Sequence, residues 1–90
     1  MHYYVIKMGS RAFGFLELTD AVAAFCMLMS AFGIDIVPFE VYATLLEEPS
    51  FAAGSCCIMK EPYEKEDLEE LMSRYLNKIR DIQHHIFCGA

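Results

Sequence analysis

An almost uninterrupted apolar run constrains the fold of this chain more than any other feature. Between residues 21 and 34, Ser30 is the only polar residue. The run predicts a helix that can be capped by Thr19 or Asp20 and that ends at Gly33. Its side chains form two stripes about 130° apart at 100° per residue, Val22-Phe25-Met29-Phe32 and Ala24-Met27-Leu28-Ala31. A helix that is apolar on all sides is normally buried on all sides.

The same run is too short to cross a membrane. At about 1.5 Å per residue it extends roughly 21 Å, whereas the hydrocarbon core of a bilayer is about 30 Å thick. Acidic residues flank it on both sides, and Glu17 and Asp20 lie where a signal peptide would be basic. We therefore expect a cytoplasmic protein without a membrane partner, and the four cysteines are compatible with that compartment.

The composition favours self-association of a single domain that spans residues 1–90. Of the 90 residues, 56% are hydrophobic, against about 45–50% in an ordinary domain. A domain of this size buries only roughly 60–65% of its extended-chain surface, so a subunit interface is expected to hide the excess. The net charge of −6 argues against nucleic acid as a partner because phosphate backbones are anionic.

The order of elements predicts an α+β fold of the ferredoxin-like βαββαβ class. Strands are expected over residues 12–18, 34–42, 55–60 and 84–88, with helices over 20–32 and 63–81, a loop over 43–54, and residues 1–11 as an N-terminal extension or extra strand. The four-stranded, antiparallel-containing sheet would carry both helices on one face. Its other face would be bare and would present Phe13 and Phe15, so these residues and Met27 and Leu28 of the first helix are candidate interface residues.

The first predicted strand and the helix after it contain a short motif of small and acidic residues. Ala12-Phe-Gly14-Phe-Leu-Glu17 is followed by the paired alanines Ala23-Ala24, and the next two predicted strands contain "DIVPFE" and "GSCCIMK". The first stretch resembles the opening Ala-x-Gly-x-x-Glu motif and paired alanines of bacterial microcompartment shell proteins, and the other two resemble the next two strands of that family. The resemblance implies a structural shell or assembly protein, a cyclic homo-oligomer with six subunits, and other shell proteins as further partners. It also implies that Glu17 is a structural carboxylate near an interface.

The family lines a central pore with the loop between its second and third strands. On this chain the resemblance places the pore loop at Leu45, Leu46, Glu47, Glu48, Pro49, Ser50 and Phe51. Rings of carboxylates favour cations in pores, so Glu47 and Glu48 would give a cation-preferring opening. The alternative for these two residues is a solvated loop.

The residues that could carry chemistry are few. Cys56, Cys57, His84 and His85 are weak metal candidates, because adjacent cysteines on a strand point to opposite faces and cannot both join one site. Small apolar core cysteines are the simpler interpretation. We expect no enzyme activity and no cofactor. The alternative function is a dimeric, ferredoxin-like regulatory module that binds a ligand or metal.

Overall fold

A computed structural model describes residues 1–70 as a four-stranded antiparallel sheet with two helices. The elements are β1 (His2–Met8), β2 (Arg11–Phe15), α1 (Leu18–Ala31), α2 (Pro38–Glu47), β3 (Ser50–Ala53) and β4 (Cys56–Pro62), followed by a 3-10 turn at Lys65–Asp67. The strand order is β2-β1-β4-β3. The prediction of an α+β protein with a four-stranded, antiparallel-containing sheet and helices is therefore confirmed. The order βαββαβ is not confirmed: the described elements run ββααββ, and α2 is not the second helix that was predicted over 63–81.

Two hairpins with the same turn chemistry build the sheet. Met8 pairs with Arg11 and Ala53 pairs with Cys56, so Gly9-Ser10 and Gly54-Ser55 are the two-residue turns. Both glycines have a positive φ, 61° and 59°, and both serines do not, which is the pattern of a type II′ turn. β1 lies within residues 1–11, where an N-terminal extension or an extra strand was expected.

The core lies between the helices and one face of the sheet. Ile6 is opposite Phe13 on β2 and Ile58 on β4, and all three side chains are buried together with Phe25 of α1. The face away from the helices carries Ala12 and Gly14 on β2 and residues such as Val5 and Met59 on the central strands. Phe13 and Phe15 therefore point into the core of this chain, and the expectation that they lie on a bare face is wrong.

α1 buries most of both apolar stripes within the chain, while Phe32 and Ala31 at its end are exposed and Met27 is half-buried. Ala21, Val22 and Phe25 are buried with Leu28 and Met29, because β1 and β2 cover one side of the helix and α2 packs against another. The exposed side carries Ala23, Ser30 and Ala31. The helix begins at Leu18, so Glu17 occupies the N-cap position without a side-chain cap, and the prediction of Thr19 or Asp20 as the cap is wrong.

The predicted strand over residues 34–42 and the predicted loop over 43–54 are wrong. Residues 34–37 connect the helices, 38–47 form α2, and 50–53 form β3. Pro38 occupies the first turn of α2, where a missing N–H has no cost and the fixed φ suits a helix. The predicted strand over 55–60 is confirmed as part of β4. Residues 71–81 of the predicted second helix and the predicted strand over 84–88 lie outside the described residues.

Candidate interaction surface

α2 carries apolar side chains on two opposite sides. Val41 and Leu45 are buried against the core, whereas Phe39 is 74% exposed and Leu46 is 57% exposed. Phe39, Ala43 and Leu46 recur at i, i+4 and i+7, which places them on one side of the helix. We call these three residues the outer stripe of α2. A helix that only covered a core would carry polar residues there.

The connection between the helices also exposes large apolar side chains. Phe32 is 60% exposed and Val37 is 56% exposed. At about 150–250 Å² for a whole aromatic side chain, Phe32 and Phe39 together expose roughly 200–330 Å². The largest contiguous apolar patch on a typical monomer is about 300–600 Å² and is often functional. The apolar area that α2 and the connection before it expose is therefore of the order found at interaction sites.

The charged residues of α2 and of the connections on either side of it are all acidic. Between residues 32 and 48 the chain has Asp35, Glu40, Glu47 and Glu48 but no lysine or arginine. Glu40 lies in the first turn of α2, where a carboxylate is favourable because the N-terminal end of a helix is electropositive. Glu47 and Glu48 lie at the opposite, electronegative end, which is unfavourable for a carboxylate.

Specific contacts fix the end of α1 and the end of α2. α1 ends in a Schellman motif in which Ile34 N–H donates to Met29 O and Gly33 N–H donates to Ser30 O, with Gly33 at a φ of 78°. In the last turn of α2, Leu45 O accepts a hydrogen bond of 2.9 Å from Lys60 Nζ on β4. The predicted stop at Gly33 is confirmed, and α2 is fixed relative to the sheet at its last turn.

An open groove lies between α1 and the connection to α2. It has a volume of about 530 Å³ and is lined by Cys26, Met27, Ser30 and Ala31 of α1 and by residues 34–36. Burial raises the pKa of the Cys26 thiol above its ordinary value. A reactive cysteine needs the opposite shift, toward the thiolate, so the groove does not activate Cys26 as a nucleophile.

A tyrosine pair with a nearby carboxylate lies at the start of α1. The pKa of Tyr4 is raised, first by burial and then by the charges of Glu17 and Tyr42. Tyr4 and Tyr42 are both half-buried, whereas Glu17 is exposed. Because a neighbouring carboxylate and burial both favour the neutral phenol, this environment keeps Tyr4 protonated and does not make it a base.

The structure places the interface residues that were predicted from sequence in different environments. Phe13, Phe15 and Leu28 are buried in the core of the chain and cannot contact a partner in this fold. Met27 is half-buried and lines the groove, and Glu17 is exposed at the N-cap of α1. The prediction that Phe13, Phe15 and Leu28 form an interface is therefore wrong, because all three side chains belong to the core cluster between the sheet and the helices.

The predicted pore loop has regular structure. Leu45, Leu46 and Glu47 form the last turn of α2, Glu48 and Pro49 form the connection, and Ser50 and Phe51 begin β3. Leu45 is buried in the core, and the Phe51 ring packs edge-on against Phe25 with 6.0 Å between ring centroids. The loop conformation is thus wrong, and a pore formed by this segment stays a prediction.

The metal candidates are only partly described. Cys56 is buried in the core and Cys57, the next residue on β4, is half-buried on the other face. Within residues 1–70, no group of three or more His, Cys, Asp or Glu side chains converges as a metal site would require. His84 and His85 lie outside the described residues, so the metal-binding alternative stays a prediction.

The residues missed from sequence are those of the outer stripe. Phe39 and Leu46 were read as parts of a strand and a loop, although Phe39, Ala43 and Leu46 have helical spacing and Val41 and Leu45 repeat it on the other side. Pro38 followed by Glu40 is also a helix start signal. These two patterns together could have identified an amphiphilic helix with apolar residues on both sides.

Comparisons of the chain with protein families, with curated proteins and with solved structures give no match. In the described part of the chain, no helix has the length and apolar character that a membrane span requires.

Proposed function

We propose that this protein is a non-enzymatic structural protein whose copies assemble with one another through the outer stripe of α2 and its neighbours Phe32 and Val37. The observation that carries the proposal is the 74% exposure of Phe39, a large aromatic side chain on the side of α2 opposite the core. Fully burying such a side chain is worth about 1.5–3 kcal/mol. A surface of this kind is most simply explained by a protein partner.

The size of the surface supports self-association. A standard interface buries about 800 Å² on each partner, of which roughly 60% is apolar. The exposed parts of Phe32 and Phe39 supply roughly 200–330 Å² of this apolar area, and Val37 and Leu46 add to it. When two copies associate, each contributes this surface. The apolar area removed from water is then twice that of one copy, and no other kind of protein is required.

The resemblance to shell tiles supplies the specific form of assembly. We propose a cyclic homo-oligomer with six copies, acting in the cytoplasm as part of a microcompartment shell together with other shell proteins. In that form the exposed residues 47–50 would line the central opening, and Glu47 and Glu48 would make it cation-preferring. The self-association and the number of copies are separate parts of this proposal and are tested by the same measurement.

The test is the mass of the full chain in solution over a concentration series, by sedimentation equilibrium and native mass spectrometry. We expect an oligomer for the natural chain and a shift toward the monomer for Phe39→Glu. Ala23→Glu is the matched control, because Ala23 is an exposed alanine on α1 and its replacement adds the same charge away from α2. A natural chain that stays at 10.3 kDa at every concentration would overturn the proposal, and a mass other than six copies would overturn the hexamer.

A further inference from the structure

We infer that the outer stripe of α2 is a twofold contact, in which α2 packs antiparallel against α2 of a second copy and Phe39 lies against the partner's Leu46. The inference rests on the proposed self-association and specifies its geometry. Its partner is a second copy of this chain, and its register is fixed by the order of side chains along the stripe.

The stripe is self-complementary in the antiparallel direction. A twofold interface uses the same surface on both copies, so each residue i that contacts j must be matched by j contacting i. Phe39 and Leu46 are large and Ala43, between them, is small. An antiparallel pair places each Phe39 on the partner's Leu46 and both Ala43 residues near the axis, where small side chains allow helix axes to approach to about 8 Å.

The dipoles of the two helices also favour the antiparallel direction. An antiparallel pair places the electronegative C-terminal end of each α2 beside the electropositive N-terminal end of the partner helix, whereas a parallel pair places like helix ends side by side. The carboxylates lie at both ends of α2, Glu40 in the first turn and Glu47 and Glu48 at the end, so they do not distinguish the two directions.

The geometry fixes how many copies the contact can join. An isologous contact closes at two copies, whereas a ring of more than two requires a heterologous contact. The α2 pair alone therefore gives a dimer; in a cyclic hexamer it can link one ring to another, and the ring itself must close through a second, heterologous surface. The side chains that define the contact are the same in both cases.

The discriminating experiment mixes two full-length variants that each disrupt the contact. Phe39→Asp and Leu46→Lys are each expected to weaken self-association by at least about 30-fold, the equivalent of a 2 kcal/mol hot spot. An equimolar mixture is expected to recover the association as a heterodimer. In that heterodimer one end joins the introduced carboxylate to the introduced ammonium, and the other end keeps the natural Phe39–Leu46 contact.

The controls separate this register from other arrangements. A mixture of Phe39→Asp with Ala23→Lys is not expected to recover the heterodimer, because Ala23 lies on α1. Recovery by a mixture of Phe39→Asp with Phe39→Lys, and not by the first mixture, would overturn the antiparallel register in favour of a parallel one. Circular dichroism of each variant must match the natural chain, which is expected because positions 39 and 46 are exposed.

The possible failures are distinguishable. A natural chain that is monomeric throughout would overturn both the proposed function and this inference. A natural chain that associates while Phe39→Asp and Leu46→Lys leave its mass unchanged would overturn the α2 contact alone and leave self-association standing through another surface.

Discussion

Lys60 connects the central strand β4 to the last turn of α2, and its removal should destabilise the protein measurably. Its Nζ donates to Leu45 O at 2.9 Å, and its backbone N–H donates to Pro49 O at 2.8 Å. One residue thus holds both the end of α2 and the connection to β3. Lys60→Met keeps the apolar stem and the backbone hydrogen bond and removes only the ammonium group.

The expected cost follows from the position of that ammonium. A hydrogen bond from a charged donor contributes about 1.5–3 kcal/mol, and a cation at a helix C-terminus contributes about 0.3–1 kcal/mol when exposed. Lys60 is half-buried, so water can replace part of the lost hydrogen bond to the carbonyl. We therefore expect Lys60→Met to lower the free energy of unfolding by about 1–2 kcal/mol. This is less than the full contribution of a hydrogen bond from a charged donor, because water hydrates the carbonyl that Lys60 leaves.

Urea denaturation at a fixed protein concentration measures this change. For a domain of this size, 1 kcal/mol corresponds to about 4–8 °C in the melting temperature, so thermal melts should show a drop of roughly 4–16 °C. Amide exchange gives a local readout, because Glu48 N–H donates to Thr44 O and should exchange faster when the last turn of α2 is released.

The matched control is Lys65→Met, which removes an exposed lysine from the 3-10 turn and should change stability by less than about 0.5 kcal/mol. If Lys60→Met and Lys65→Met have the same effect, the Lys60 ammonium does not stabilise α2 and the reasoning is refuted. Faster exchange throughout the protein, rather than at the end of α2, would contradict the local explanation.

Three further results are expected. Gly33→Ala should cost about 1–2 kcal/mol of stability in denaturation, because the added Cβ meets nothing within 4 Å and the cost is the left-handed backbone alone; an unchanged stability would contradict this. A double-mutant cycle with Phe25→Leu and Phe51→Leu should give a coupling of about 0.5–1.5 kcal/mol for their edge-on ring pair, and zero coupling would refute it. Alkylation at neutral pH should be slower for Cys26 than for a peptide thiol, since burial raises its pKa; Cys26→Ser identifies the site. The same shift stabilises the folded chain at pH values below the pKa of the unfolded Cys26 thiol, and this stabilisation is lost as pH rises through the pKa of the folded thiol. The urea midpoint should therefore fall as pH rises through that range, and it should fall less for Cys26→Ser.

The hairpin and the end of α1 were predictable from sequence because each depends on local chemistry. Gly9-Ser10 follows a β-prone segment, and Gly33 stands where an apolar helical run ends. A glycine that must adopt a positive φ leaves the same signal whatever the rest of the chain does. The predicted helix end at Gly33 is therefore confirmed, and Gly9-Ser10 is the turn between β1 and β2.

The segment from 34 to 47 is ambiguous from sequence because its apolar residues fit two periods. Ile34 and Ile36 alternate as in a strand, and Phe39 and Val41 alternate again one position out of step with them, although Val41 and Leu45 are spaced as in a helix. Short segments with both patterns are decided by their end signals, and Pro38 at the first turn of α2 is the deciding one. The same ambiguity affects the interpretation of α1, because α2 packs against it.

The pairing of β1 with β4 also has a kinetic consequence. These central strands come from opposite ends of the described chain, with His2 opposite Pro62, while each hairpin and each helix forms from neighbouring residues. Local hairpins form in about 1–10 μs, but contacts between distant residues require a large loop to close first and slow the reaction. We therefore expect the pairing of β1 with β4 to set how fast residues 1–70 fold.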